Sequence, residues 1–242
     1  MSKKNQLEKE RLKKVAKKYS PSEGEIEFNM INYRLDTMIP YLKGPKIFEM
    51  GCSTGAMTRR LAKKFSNLTV IDGSKNYIDY VRKLVKAKKV KFINSLFEDF
   101  KTEEKFDDII LANALEHVKN PVVVLKKAKS WLKKNGRVHI IVPNAESLHR
   151  RIGQKMGIIK KLISFNENDR KVGHRRVYIK KTLQKDVERA GLRVVKKQGI
   201  FLKPLSYFQM SGLDKIFLDA LYEIGKELPD YCSTIYFICK RK

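Results

Sequence analysis

The residues best placed to do chemistry sit where short apolar runs end. Phe48–Leu61 reads FEMGCSTGAMTRRL, an apolar run carrying one acidic residue, Glu49, then Gly51 and Gly55, then a helical pattern. Gly51 tolerates positive φ, and Gly55 lets backbone approach a ligand closely at a helix N-terminus. In dinucleotide-binding turns a middle glycine faces a pyrophosphate. Here that place is held by Ser53, and a carboxylate precedes the turn. A carboxylate repels a pyrophosphate and suits an ammonium group. The next apolar run, LTVIDG, closes on Asp72. An acid at that spacing accepts hydrogen bonds from ribose hydroxyls, or it serves as a helix cap or Asp-Gly turn.

Two further segments carry titratable groups. ALEHV (Ala114–Val118) places Glu116 and His117 just after an apolar run. An imidazole of near-neutral pKa can take a proton from an acceptor hydroxyl; it can also orient substrate or belong to a fixed hydrogen-bond network. GHRRVY supplies His174, Arg175, Arg176 and Tyr178. With Arg150 and Arg151 these could receive an anionic acceptor, or simply form a solvated basic loop. His139 and His149 say less, the first inside a strand pattern and the second on a helical one.

The elements that must position these groups alternate regularly. Strands are expected at Lys46–Gly51, Leu68–Gly73, Val90–Ser95, Asp107–Ala114 and Arg137–Pro143. Helices are expected at Ala56–Phe65, Lys75–Ala87 and Pro121–Leu132 between them, the last with proline in its first turn. Such alternation implies a parallel sheet covered by helices on both faces. Ahead of it lie two helical stretches, Lys3–Lys18 and Glu25–Leu42. Behind it the pattern breaks into an amphipathic helix (Glu146–Met156) and polar loop. It resumes with helix Lys181–Ala190 and strand Leu192–Phe201, and ends on strand Ser233–Lys240 after a mostly helical excursion. The expectation is one α/β domain over residues 1–242, with N-terminal helices in 1–44 and a ligand-binding core in 45–143. Insertions at 144–178 and 202–230 form a small helical cap beyond the strand C-termini.

Composition narrows the partners. A 42% hydrophobic fraction supports a substantial core. No apolar run approaches the roughly 20 residues of a membrane span, and MSKKNQLEKERLKKVAKK lacks the apolar centre of a secretory signal. Cys52, Cys232 and Cys239 have no metal-ligand spacing and fit a reducing, cytoplasmic setting. The net charge of +27 is spread along the chain and falls on helix faces, as at Lys83, Lys86, Lys88 and Lys89. Without an arginine-rich tract or zinc knuckle, it reads as surface solvation before it reads as a nucleic-acid footprint.

Taken in order, FEMGCSTG, VIDGS, FDDIILANALEHV-x-x-P and WLKKNGRVHIIVPN resemble the signature segments of class I S-adenosylmethionine-dependent methyltransferases. The likeness covers Asn29–Pro143, with a weaker echo in Gly173–Leu183. Within the class it is similar to the branch holding ubiquinone-biosynthesis O-methyltransferases and sugar and antibiotic methyltransferases. The resemblance implies a Rossmann-like seven-stranded, mostly parallel sheet. It implies that Glu49, Gly51, Cys52 and Gly55 surround the cofactor's methionine part and that Asp72 takes the ribose. Leu96 and Phe97 would sandwich the adenine, and backbone near Asn113 would face the sulfonium. Arg34, in NMINYRL, matches the arginine that branch sets against the cofactor carboxylate. Some relatives bind a divalent ion through Glu-x-x-Glu-His and a later histidine. Glu116, His117 and His174 match, but Asn113 replaces the first glutamate and removes a charged ligand, so no metal is expected.

The reading that follows is methyl transfer to an oxygen, less readily a nitrogen, of a small polar metabolite such as a nucleotide-linked sugar. His117 would assist and His174, Arg175 and Tyr178 would meet the acceptor. The alternatives are an RNA methyltransferase acting on tRNA or small RNA, and a non-catalytic cofactor-binding scaffold. A nicotinamide enzyme is disfavoured by Ser53 and Glu49.

Overall fold

The computed structural model describes residues 6–12, 26–85 and 89–242. The parts of the expected helices at Lys3–Lys18, Glu25–Leu42 and Lys75–Ala87 that include 3–5, 13–18, 25 and 86–87 lie outside them, as do Lys86 and Lys88.

The strands are β1 (Lys46–Met50), β2 (Asn67–Asp72), β3 (Val90–Asn94), β4 (Phe106–Ala112), β5 (Leu132–Pro143), β6 (Leu192–Ile200) and β7 (Thr234–Arg241). They form one seven-stranded sheet in the order β3-β2-β1-β4-β5-β7-β6. The first five positions are parallel. β7 runs antiparallel to both neighbours, filling the slot between β5 and β6. Crossover helices α2 (Ala56–Lys64), α3 (Lys75–Leu84) and α4 (Pro121–Ser130) join the parallel strands. α1 (Ile26–Met38) precedes them and ends in a single 3₁₀ turn, Ile39–Tyr41.

Side chains on a strand point alternately to opposite faces, so the central strands bury both. On β1, Phe48 and Met50 join one apolar cluster and Ile47 the other. Phe48 stacks on Phe106 at 4.6 Å and meets Trp131 edge-on at 5.6 Å, which fixes α4 to that face. The opposite face takes Leu35 and Met38 of α1, Leu61 of α2 and Val81 of α3. Each such side chain, fully removed from water, contributes roughly 1.5–3 kcal/mol. β6 is an edge strand, and it carries lysines (Lys196, Lys197) that blunt the unpaired side.

The two insertions do different things. The first holds α5 (Leu148–Lys155) and α6 (Glu167–Lys171), followed by α7 (Lys180–Arg189), which returns the chain to β6. The second holds α8 (Tyr207–Met210) and α9 (Lys215–Glu227). α9 is not a cap element: Leu218 and Leu221 are buried in the sheet-face cluster, and Tyr33 of α1 stacks on Tyr222 at 4.6 Å while donating to Asp219 at 2.6 Å. No helix among the described residues is long and apolar enough to cross a membrane.

At the N-terminal end of the strands a buried polar network closes the sheet. Asp108 Oδ1 meets His139 Nε2 at 2.9 Å, and His139 Nδ1 meets the Tyr236 hydroxyl at 2.7 Å. Asp108 Oδ2 accepts from the amides of Lys43 and Gly44, fixing the turn into β1. Every group is matched, so burial costs little here. Asp108→Ala strips the acceptor from two amides and an imidazole. It should cost roughly 3 kcal/mol or more, read as a lowered urea midpoint. Ligand binding beyond the C-terminal ends of the strands should stay unchanged, because the network lies at the other end of β4.

Candidate active site

A cavity of about 340 Å³ opens at the C-terminal ends of β1, β2, β4 and β5. Its floor is the turn after β1. Gly51 (φ 95°), Ser53 (φ 45°) and Gly55 (φ 82°) all lie in the left-handed region, which favours glycine. A Cβ on Gly55 would stand 2.8 Å from Val81 Cγ2, so glycine there also lets α2 approach α3. Asp72, at the end of β2, fastens this turn: its Oδ2 accepts from the amides of Cys52 (3.0 Å) and Ser53 (3.4 Å). Its Oδ1 accepts from Ser74 (2.8 Å), whose own hydroxyl caps α3. Burial raises the Asp72 pKa, and those amides pull it back. The turn reading of Asp72 therefore holds geometrically, and the carboxylate still lines the cavity.

Glu49 is the unusual member. It is 1% exposed, lines the cavity, and neither carboxylate oxygen meets the geometry of a hydrogen bond. Burial pushes its pKa up to about 8, with the nearby Thr58 hydroxyl pulling the other way. A buried carboxyl with so little compensation suits a ligand that brings a cation. Leu96 and Phe97, after β3, line the cavity beside Gly73, and Arg34 of α1 lines it from another side. Asn113, at φ 53° and with its side-chain oxygen unpartnered, turns the chain as β4 ends.

That turn delivers Glu116 and His117 to the same cavity. Arg176 holds it in place by donating to the carbonyls of Leu115, Val118 and Lys119. Glu116 is 1% exposed with both oxygens unpartnered, and burial raises its pKa to about 7. Burial, then the charge of His174, takes His117 down to about 3, leaving a neutral and weakly basic imidazole. The His117 and His174 rings meet edge-on at 4.8 Å. His174 Nδ1 lies 2.9 Å from Asp169 Oδ1, and its Nε2 lies 4.0 Å from Glu116 Oε1. Among the described residues Glu116, His117 and His174 form a group able to hold a metal ion, their ligand atoms lying within 4.8 Å of one another. Two imidazoles and a carboxylate suit a divalent ion of borderline softness, and Asp169 would orient the His174 ring.

The acceptor-side expectations are redistributed. Arg175 is exposed and does not itself line the cavity; it pairs at 2.6 Å with Glu8, which does. Tyr178 is buried in the core and donates to Asp186 at 3.0 Å. Arg150 is committed to the carbonyls of Leu162 and Ser164 and to Asp169, and Arg151 to the Glu146 carbonyl. Lining residues the sequence did not reveal include Lys203, beyond β6, and Glu8, Arg11 and Leu12 of helical residues 6–12; Tyr207, one of the aromatics in the 202–210 run that the sequence offered as cap lining, lines it too. Arg11 donates to the carbonyls of Gly173 and His117, drawing that segment across the cavity. Basic residues in an apolar helical pattern were the only local signal of it.

Residues 12–197 match the methyltransferase domain family, and the chain belongs to it. The cofactor of this class is S-adenosylmethionine. The chain is 31% identical over 102 residues to (S)-coclaurine N-methyltransferase of Papaver somniferum, covering 40% of this chain and 29% of that protein. It is 31% identical over 103 residues to the ubiquinone biosynthesis O-methyltransferase of Actinobacillus pleuropneumoniae, covering 39% of this chain and 44% of that protein. The chain thus spans less than half the length of these curated relatives, which include both N- and O-methyltransferases. Its fold is shared with N-methyltransferase NodS from Bradyrhizobium japonicum, solved in complex with S-adenosylhomocysteine. The TM-score is 0.58 at 16% identity, covering 90% of this chain and 89% of that one.

The folded chain binds a proton at Glu49 more tightly than the unfolded chain, 4.5 being the unperturbed value and about 8 the folded one. This group's contribution to stability is complete below the lower value and is lost as pH rises through the upper. Without ligand, wild type should therefore lose stability relative to Glu49→Gln by up to about 1.4 kcal/mol per pH unit across that window. Urea midpoints at its two ends measure the effect. A difference that stays constant would mean Glu49 is compensated after all.

Proposed function

We propose that this protein transfers the methyl group of S-adenosylmethionine to an oxygen of a small polar metabolite. The observation that carries the reading is Glu49, a buried, unpartnered carboxylate facing the cavity beside the Asp72-fastened turn. A ligand that brings an ammonium group supplies the missing partner and favours the ionised form of that carboxyl. In this reading Arg34 takes the cofactor's carboxylate, and Asp72 takes the ribose through lone pairs the turn amides leave free. Leu96 and Phe97 flank the adenine, while Gly51, Cys52 and Asn113 line the methionine end. Gly55 acts by packing α2 onto α3. Segments 144–178 and 203–210 border the acceptor side.

When bound, S-adenosylmethionine would supply an electrophilic methyl group, its carbon–sulfur bond breaking in line as the acceptor oxygen takes the methyl and S-adenosylhomocysteine leaves as the neutral thioether. An alcohol must also shed a proton, which is the reason for preferring oxygen at a site that holds a proton acceptor. Glu116, with a pKa of about 7, is matched to that task at neutral pH, whereas His117 near 3 is too weak a base. His117 is better cast as the neutral group that orients the acceptor. Most of the acceleration comes from alignment.

Calorimetric titration of S-adenosylhomocysteine, followed by a methyl-transfer screen of hydroxylated metabolites, amines and tRNA, tests this. Wild type should bind at micromolar concentrations and Glu49→Gln should weaken binding at least about tenfold. Glu116→Gln should lower turnover by roughly 10²–10³-fold while leaving that affinity nearly unchanged. A folded wild type that binds neither S-adenosylmethionine nor its demethylated product sinks the reading. Turnover on tRNA alone, lost in moderate salt, would replace the metabolite with RNA.

The spacing of Glu116, His117 and His174 favours a second use for the same side chains. Together they would hold a divalent ion, which would polarise the acceptor oxygen and lower its pKa. Metal analysis after zinc or manganese loading should then find one ion per chain in wild type and none in His174→Ala. Equal metal content in both would dismiss it.

A further inference from the structure

Lys203 is the cavity residue that the cofactor leaves unexplained. It follows β6, where the chain is turned by Phe201 in a left-handed conformation (φ 63°). It is 8% exposed, and it lines the cavity. Lysines this deeply buried are almost always paired. Among the described residues Lys203 makes no ion pair and its ammonium donates no hydrogen bond; Nζ instead sits 3.9 Å from the centre of the Tyr207 ring. Such a ring steadies a cation from beneath and leaves its other side open.

The charged groups around it give no compensation strong enough to hold it at its ordinary value. Burial comes first in lowering its pKa to about 8, followed by Arg34 of α1 and Arg150 of α5; Glu27 of α1 and Asp169 of α6 act in the opposite sense. Arg150 and Asp169 are already paired with each other. His149, whose amide donates to the Lys203 carbonyl, is held neutral by burial and by Lys203 itself. Asn144, Ser233 and Thr234 also line the cavity, and the Ser233 amide donates to the carbonyl of Phe201, two residues before Lys203, which puts this corner on the β5–β7 side. The groups read as a nucleoside site, Asp72, Leu96 and Phe97, follow β2 and β3 instead.

We propose that Lys203, cradled on Tyr207, receives an anionic oxygen group of the methyl acceptor, a carboxylate or a phosphate. The inference rests on the cofactor reading above, in which Arg34 serves the cofactor's own carboxylate and Lys203 is the cation left for the acceptor. The lysine is then placed for a ligand and not for the fold, so neutralising it should not cost stability.

Wild type, Lys203→Gln and Lys203→Arg, each saturated with S-adenosylhomocysteine, are titrated with inorganic phosphate and with acetate at constant ionic strength and neutral pH. One anion should bind wild type, identifying phosphate or carboxylate as the group taken. Lys203→Gln should weaken it at least about tenfold, and Lys203→Arg should restore most of it. The melting temperature of Lys203→Gln should equal or exceed that of wild type, and its S-adenosylhomocysteine affinity should match. The proposal is overturned if both anions bind wild type and Lys203→Gln alike, or if neither binds a wild type that does bind S-adenosylhomocysteine. It is also overturned if Lys203→Gln loses S-adenosylhomocysteine affinity instead, which would put Lys203 on the cofactor carboxylate. A wild type that fails to bind S-adenosylhomocysteine removes the cofactor reading, and this proposal with it.

Discussion

The site depends on one carboxylate gripping backbone amides from two turns. Asp72 ends β2, yet its oxygens hold Cys52 and Ser53 of the turn after β1 as well as Ser74 of its own turn. Those amides would otherwise be buried without acceptors where three residues take left-handed conformations. Because the grip crosses between adjacent parallel strands, the register of β1 against β2, with Met50 opposite Ile71, becomes part of the site's geometry. The strands, the glycine turn and the cavity floor are thus fixed by the same few hydrogen bonds.

Against that well-satisfied frame, the unmatched groups stand out. Buried charge elsewhere is balanced: Asp108 by His139 and two amides, Arg150 by Asp169 and carbonyl oxygens. Glu49, Glu116 and Lys203 are buried without hydrogen-bonding partners among the described residues, and all three line one cavity. Leaving such groups unpaired costs stability, and a fold retains that cost where a ligand is to supply the missing partner. Among the described residues, the two non-glycine positions in the left-handed region beyond the glycine turn are Asn113, three residues before Glu116, and Phe201, two before Lys203.

What could be read from the sequence divides along the same line. The order of strands and helices from Lys46 to Pro143 was legible because period-two and helical apolar patterns are local, and so was the turn Glu49–Gly55 leading to Asp72. Most boundaries moved by a residue or two, as when β4 began at Phe106 and stopped at Ala112, but β5 began at Leu132, five residues before the expected Arg137. The acceptor side was not legible, since each of its contacts joins distant segments. Arg11 reaches the Gly173 carbonyl across 162 residues. Tyr178 looked like a site residue because it follows two arginines, but its neighbours in space are core residues and Asp186. Lys203 is one lysine among many in a strongly basic chain, and only burial distinguishes it. α9 looked like a cap because its separation from the sheet pattern hid the apolar face it lays on α1 and β6.

The place of β7 has a consequence for the order in which the molecule can be made. β6 pairs with β7 alone, and β7 is synthesised more than thirty residues after it. Until then the edge of β5 stands open, and β6, preceded by α7, is free to add beside it in parallel as an ordinary β-α-β crossover. That arrangement would occupy the slot β7 must take. Before β7 is made, β5 and β6 each lack the neighbour they have in the native sheet, which is completed by insertion of a strand instead of addition at a rim.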